Sequence, residues 1–488
     1  MNIVIRLLLS TGSILFFLIG ILFQEPKILL VATLLIFAHN IVYSLKKFYE
    51  RIVFFCFNVT FFIFLIGRMV VTEFFGYKID YAGLFGLAFE EKEIIMVVIS
   101  CLYLSLLAIF IGYTLIQRMN LSFLKPKKEL SSSYLKSVRL FSLLFFYFCL
   151  VFRLIYDYQM RQAAMSEGYF ESFSTFRSTL PFIFESFSNM YDVAFFGYLA
   201  TNPTKRKSFF PILLYIGEGL FSALAGRRSI LMLNILIVFI YYCIRSIPRE
   251  EKQEKKWFGK FEWTMGVVVF PFIMEFLTLI GNLRVNFSGK TQKLSFVDSI
   301  LEFFYSQGVS ANLIGYTKIY ENQIPKGRLF TFGPIMEFID NKIIRPLKGL
   351  PEYFGQTAER AINGHLFSQT LTYIIMPLAY LKGYGYGSSF VAELYNDFSF
   401  TGVFIGSIVY GALLYIFFYM LRNSHYILII FTLMMTRAVL FAPRGAYLSF
   451  IVSSFSMPKI VGVIIIVVGS YLFYSLSGQR KFVLKKTY

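Results

Sequence analysis

Residues 94–117 read IIMVVISCLYLSLLAIFIGYTLIQ, 24 residues without a single charge. At 1.5 Å of rise per residue such a helix exceeds the roughly 30 Å hydrocarbon core of a bilayer. The apolar residues run continuously instead of alternating, so the segment satisfies its backbone inside lipid as a helix and not as a barrel strand. Working outward, similar runs recur at 7–23, 27–45, 52–71, 138–158, 181–200, 208–226, 229–244, 262–283, 398–421, 425–441 and 459–476. The reading is an all-α polytopic membrane protein of about twelve transmembrane helices. Composition agrees: 57% hydrophobic and 15% charged residues, against roughly 45–50% and about 25% for a soluble domain, exclude an ordinary water-soluble enzyme.

The formal charge of +19 does not point to nucleic acid, because the basic residues gather in short connectors. Alternate connectors and the C-terminal tail hold 23 Lys and Arg, and the intervening short connectors hold seven. By the positive-inside rule both termini are cytoplasmic. The first span ends in Gln24-Glu25-Pro26 without a small-x-small cleavage site and reads as uncleaved. Cys56, Cys101, Cys149 and Cys243 lie singly inside apolar runs, which excludes a disulfide framework, a zinc ribbon and a CxxC redox site. The segment 365–382 is apolar enough to cross but is broken by Pro377, and the basic tail argues that it does not. Three regions follow: a nine-span N-terminal membrane bundle (1–283), a large outward-facing helical cap (284–392), and C-terminal spans with a basic tail (393–488).

Arginine stands where the charge rule does not expect it. Arg68, Arg153, Arg227, Arg228, Arg284, Arg437 and Arg444 lie at or just inside the outer ends of spans, whereas 15 of the 23 cytoplasmic basic residues are lysine. Charge at such positions is costly and marks functional paths, and guanidinium presents a planar fork matched to phosphate oxygens. Converging outer arginines suggest a diphosphate headgroup as ligand. At Gly226-Arg227-Arg228-Ser229 the first free N–H groups of a span add to two guanidinium groups. Snorkelling to lipid headgroups is the alternative for Arg227 and Arg228, an intramembrane salt bridge or snorkelling for Arg68 and Arg153, and structural pairing inside the bundle for Arg437 and Arg444.

Glu393 and Asp397 stand i, i+4 on one helical face where the chain re-enters the membrane, so either suits a general base or an arginine partner. Glu218, within a span, reads as the intrabundle partner of an arginine. Glu337 and Asp340 read as a solvated helical face or as sugar ligands. Of the three histidines (His39, His365, His425) only His365 lies on the outer side, where its pKa class suits a base. No metal-binding spacing can be assembled from them, and no Walker A, GxGxxG or GxSxG motif occurs. An outer-face enzyme without nucleotide therefore needs a substrate that arrives already activated.

The Gly226-Arg227-Arg228-Ser229 turn, the long late loop, and the pattern Gly385-x-Gly387-Ser388-Ser389-x-x-x-Glu393-x-Tyr395-x-Asp397-Phe398-x-x-x-Gly402 before a span resemble the Wzy oligosaccharide repeat unit polymerases. The position usually occupied by Gly after the aromatic is Ser399 here. The resemblance implies a GT-C-like bacterial inner-membrane glycosyltransferase of O-antigen, capsule or exopolysaccharide synthesis. It would transfer a growing glycan from undecaprenyl pyrophosphate to a lipid-linked repeat unit, without cofactor or metal, working beside a flippase and a chain-length regulator. In that reading Arg227, Arg228, Arg284 and Arg444 hold the donor pyrophosphate, with Glu393 as base, or else Asp397 or His365. An O-antigen ligase of the same topology and a flippase of lipid-linked sugars are the rivals, and the absence of internally repeated halves speaks against the flippase.

Overall fold

The computed structural model describes residues 2–77, 90–125, 130–167, 172, 176–248, 257–259, 262, 264, 266, 268 and 296–476. Among them every regular element is helical. Nine of the described helices are long and apolar enough to cross a membrane: Ile3–Leu22, Pro26–Lys46, Phe48–Phe75, Lys92–Gln117, Ser132–Ser166, Lys205–Leu224, Arg228–Arg245, Phe390–Asn423 and Met457–Leu476. Each coincides with an expected span.

Two further expected spans take shorter forms. The 181–200 run breaks at Asn189 and Met190 into Phe182–Ser188 and Tyr191–Ala200, and 425–441 becomes the 14-residue Tyr426–Val439. The expected span 262–283 falls almost wholly outside the described residues. The 365–382 run does not form a spanning helix, because Met376 leaves helical geometry (φ −144°, ψ 70°) ahead of Pro377 and separates Phe367–Ile375 from Pro377–Leu381.

The chain groups into two compact units that interleave along the sequence: 1–119 with 286–418 and 439–452, and 120–285 with 419–438 and 453–488. In the first unit, Asn2–Leu22 and Pro26–Lys46 form a hairpin whose second helix starts on a proline, tolerated there because the first N–H groups have no intrahelical acceptor. Small residues then let helices Lys92–Gln117 and Phe390–Asn423 touch backbone to backbone. A Cβ added at Gly112 would overlap the Ile408 carbonyl, and one at Gly411 the Ile109 carbonyl. Between them the Ser105 and Ser407 hydroxyls bond at 2.8 Å. Close packing and interhelical hydrogen bonds replace the hydrophobic effect as the glue between helices in lipid.

Residues between Phe296 and Leu381 belong to the first unit and form only short helices. Phe296–Gln307 and Ser310–Ile319 pack on Gly67–Phe75 and Lys92–Gln117. Residues 333–347 make one winding helix with a π turn at Asp340–Ile344. In the second unit Gly219 brings helix Lys205–Leu224 against Leu231 and Asn234 of Arg228–Arg245, and Phe195 stacks on Tyr215 at 4.1 Å. The four cysteines are buried free thiols.

Candidate functional site

In the second unit a relay of polar side chains crosses three helices and reaches a fourth. Arg153 donates from Nε to Glu218 Oε1 (2.9 Å), and its Nη2 pairs with Asp157 Oδ1 (3.2 Å), one helical turn along. Ser222 lies within hydrogen-bond distance of both carboxylates. Glu218 is thus the arginine partner its position in a span suggested. Its other oxygen accepts from Asn234 Nδ2 (3.1 Å), and Asn234 Oδ1 in turn accepts from Nε and Nη2 of Arg437 at 3.2 and 2.9 Å. At the far end Arg227 Nη1 stands 3.6 Å from Asp157 Oδ1 and touches Met160 Sδ.

Asp157, Glu218 and Asn234 are fully buried. Three guanidinium groups in this relay face two carboxylates, so one positive charge is left over. Burial, and next the neighbouring Arg153 charge, weaken the hold of Arg227 on its proton, which makes an arriving anion favourable at that point. Arg228 opens helix Arg228–Arg245 immediately beside it.

The first unit holds the other two described candidate arginines, Arg68 and Arg444. Arg68 follows the π turn Phe62–Ile66, donates from Nη1 to the Tyr305 carbonyl (2.8 Å) and lies 3.9 Å over the Tyr305 ring. Gly308 is needed there, since a Cβ would run into the Arg68 side chain. Arg444, on the turn Ala442–Arg444, donates from Nη1 to Gln307 Oε1 (3.1 Å). Both arginines therefore meet the C-terminal end of helix Phe296–Gln307, where free carbonyls and the dipole favour cations. One turn back, Glu302 is buried and accepts from the Tyr77 hydroxyl at 3.0 Å. Burial pushes its carboxyl up to about 7, against the opposing pull of that hydrogen bond and of Arg68.

The three candidate bases also fall in this unit, in different settings. Glu393 is 1% exposed, and its two oxygens accept from Ser388 Oγ (2.6 Å) and the Tyr447 backbone N–H (2.8 Å), tying the re-entry loop to the segment after Arg444. Asp397 accepts from the Thr331 N–H at 2.7 Å and from Asn396 Nδ2 at 2.9 Å, anchoring the turn Phe330–Phe332. His365 keeps a side chain 36% exposed, with Nε2 3.9 Å from Asp340 Oδ2.

Beneath His365, Glu337 accepts from its backbone N–H (2.8 Å) and from Arg360 Nε (2.8 Å). Glu337 is buried, not the solvated face its helical pattern suggested. Arg284 lies outside the described residues. Sequence reasoning missed Asp157, Asn234, Gln307 and the pairing of Asp340 with His365. An asparagine and an aspartate inside apolar runs were the available signal for the first two; the others depend on tertiary contacts alone. Among the described residues no group of three His, Cys, Asp or Glu side chains could hold a metal ion.

No curated protein and no solved structure matches the chain. A family model described as O-antigen polysaccharide polymerase Wzy matches residues 5–476, nearly the whole length. The chain belongs to the Wzy family of O-antigen polysaccharide polymerases, membrane proteins that act on lipid-linked oligosaccharide repeat units.

Proposed function

We propose that this polymerase passes the growing glycan from undecaprenyl pyrophosphate to the terminal sugar of a second lipid-linked repeat unit, at the outer face of the cytoplasmic membrane. Its termini are then cytoplasmic, and a flippase supplies its substrates while a chain-length regulator limits its product. Both substrates carry a pyrophosphate, and each unit of the protein offers an arginine group suited to one. Arg68 and Arg444 form the first group, and Arg227, Arg228 and Arg437 the second, with Arg153 held back by its carboxylates to orient the relay.

His365 acts as the base. The acceptor hydroxyl oxygen forms a bond to the anomeric carbon of the donor, the bond from that carbon to the pyrophosphate oxygen breaks, and the hydroxyl proton passes to His365 Nδ1. Asp340, beside Nε2, stabilises the imidazolium that results. Guanidinium groups carry the charge that develops on the leaving pyrophosphate, so the step needs no metal. Glu393 and Asp397 position the loops around the sugars.

The family match supports the reaction class, and one observation supports the choice of base. Both oxygens of Glu393 and of Asp397 already accept hydrogen bonds, whereas the His365 ring is half-exposed beside a carboxylate. The test is complementation of a gene deletion, read as surface polysaccharide on a gel. His365→Ala should slow extension about 10²–10⁴-fold and collapse the ladder to a single repeat unit at unchanged protein level. Arg228→Ala and Arg444→Ala should give the same collapse. Wild-type chain length in His365→Ala removes the base assignment; wild-type length in both arginine variants removes the pyrophosphate assignment.

A further inference from the structure

Apolar exposure on the long helices is accounted for by lipid around the spans. The same exposure on residues 343–354 is not, because the short helices of this segment cannot cross a bilayer. Here helix 333–347 ends, the chain turns through Gly349 (φ +67°), and it returns without regular structure. Leu347 is 82% exposed, and Ile343, Leu350 and Phe354 are each about half exposed. Lys342 precedes them and the exposed Lys348 lies between Leu347 and Leu350.

The hairpin is built to hold that shape. The Leu350 N–H bonds the Arg345 carbonyl at 2.9 Å. Arg345 is buried beneath the turn, donating to the Pro351 carbonyl (2.6 Å) and to Glu359 (2.9 Å) and stacking 3.9 Å over Tyr353. Asn341 Oδ1 accepts the Tyr353 N–H, and Lys342 bonds Glu352. A fixed hairpin showing four large apolar side chains to water has its ordering cost already met before anything binds it.

We propose that the 343–354 hairpin is a membrane-docking tip, its apolar side chains seated at the boundary of headgroups and acyl chains in an anionic leaflet. The chemistry favours lipid over a protein partner. Aliphatic residues with the exposed Lys348 in their midst match interfacial membrane segments, in which the apolar face enters and lysine meets lipid phosphate, while Lys342 stays with Glu352 at the base of the hairpin. Protein interfaces are enriched in tyrosine, tryptophan and arginine and depleted of lysine; here Tyr353 and Arg345 are consumed in bracing the hairpin. The docking stands independently of the reaction proposed above. One consequence rests on that reading: helix 333–347 also carries Glu337 and Asp340, so a docked tip fixes the frame of His365 against the lipid surface.

The test uses the full chain in vesicles of phosphatidylethanolamine and phosphatidylglycerol, with a fluorophore on Leu347→Cys and, as control, on exposed Asn322→Cys. The native cysteines are buried. Acyl chains carrying bromine should quench the Leu347 probe about twofold or more relative to the control, and replacing phosphatidylglycerol by phosphatidylcholine should weaken the effect. A probe on Phe354→Cys should lose its quenching when Leu347→Asp and Leu350→Asp are added, at unchanged chain folding. Equal quenching at both sites with free access to aqueous iodide overturns the proposal. A Leu347 probe shielded from bromine and iodide alike also overturns it, by showing a protein contact there. Quenching that persists in a His365→Ala chain unable to extend glycan separates docking from the reaction, whereas docking lost with an active site intact leaves the reaction standing alone.

Discussion

Arg153 and Arg360 each hold a glutamate through Nε, at 2.9 and 2.8 Å, in surroundings that give the two pairs different jobs. Arg153 sits among spans with Glu218 and Asp157 fully buried beside it. Nothing there can rehydrate if a partner is lost. Arg360 is 18% exposed and lies in a segment of short helices, where it also bonds the Gly355 carbonyl. Its glutamate, Glu337, spends the other oxygen on the His365 backbone. The first pair makes a charged relay tolerable inside lipid; the second fixes the backbone of His365, the base proposed above. Burial, and not residue type, decides which role an arginine takes.

Removing one member of each pair should separate the roles, and the larger effect belongs to the buried pair. Arg153→Met takes from Glu218 its direct ion pair and from Asp157 the nearer of its two arginines, and should cost about 3–5 kcal/mol, seen as a large fall in melting temperature in detergent and as lost protein in the membrane. Adding Glu218→Gln should recover most of that stability, because the carboxylate that lost its direct ion pair is then neutral while Asp157 keeps Arg227. Full stability in Arg153→Met alone would mean that the relay is hydrated and the contrast with Arg360 fails.

How much of this was legible in the sequence follows from which interactions are local. Spans such as 94–117 are fixed by hydropathy and length, and nine of them form as read. Glu218 could be matched to an arginine because a lone acid inside a span has few other fates. The grouping of the arginines could not be read, since residues 1–119 join 286–418 and 439–452, bypassing their neighbours in sequence. The burial of Glu337 is not legible either, because a helix pattern does not foresee the 358–365 segment folding over it. The π turn at Asp340–Ile344 also shifts the helical phase, so a 3.6-residue pattern cannot carry one face through to Leu347. The break at Asn189 and Met190 carries no proline or glycine to announce it.

The smaller pair should respond in activity more than in stability. Arg360→Met removes the charged hydrogen bond to Glu337 and the one to the Gly355 carbonyl at a partly solvated site, and should cost about 1.5–3 kcal/mol. The freed Glu337 no longer fixes the backbone of His365, so glycan chains should shorten while protein persists in the membrane. Long chains at wild-type yield in Arg360→Met would sever the link from Arg360 through Glu337 to His365.

Whether that shortening reflects position or mere weakening of the fold can be decided at Ser399. Its backbone, φ +56° and ψ −153°, lies in a region essentially reserved for glycine, at the kink that divides Phe390–Asn423 into two helices. This is also the position where the Wzy-like pattern carries glycine, so the sequence departure and the strained residue coincide. Ser399→Gly should raise stability by about 1–2 kcal/mol by releasing that strain, read as a higher melting temperature. It touches none of the charges around His365. In an Arg360→Met background it should therefore return much of the lost melting temperature and leave the glycan chains short. If chain length returns together with stability, the Arg360 pair acts only by holding the fold, and its difference from the Arg153 pair is one of degree.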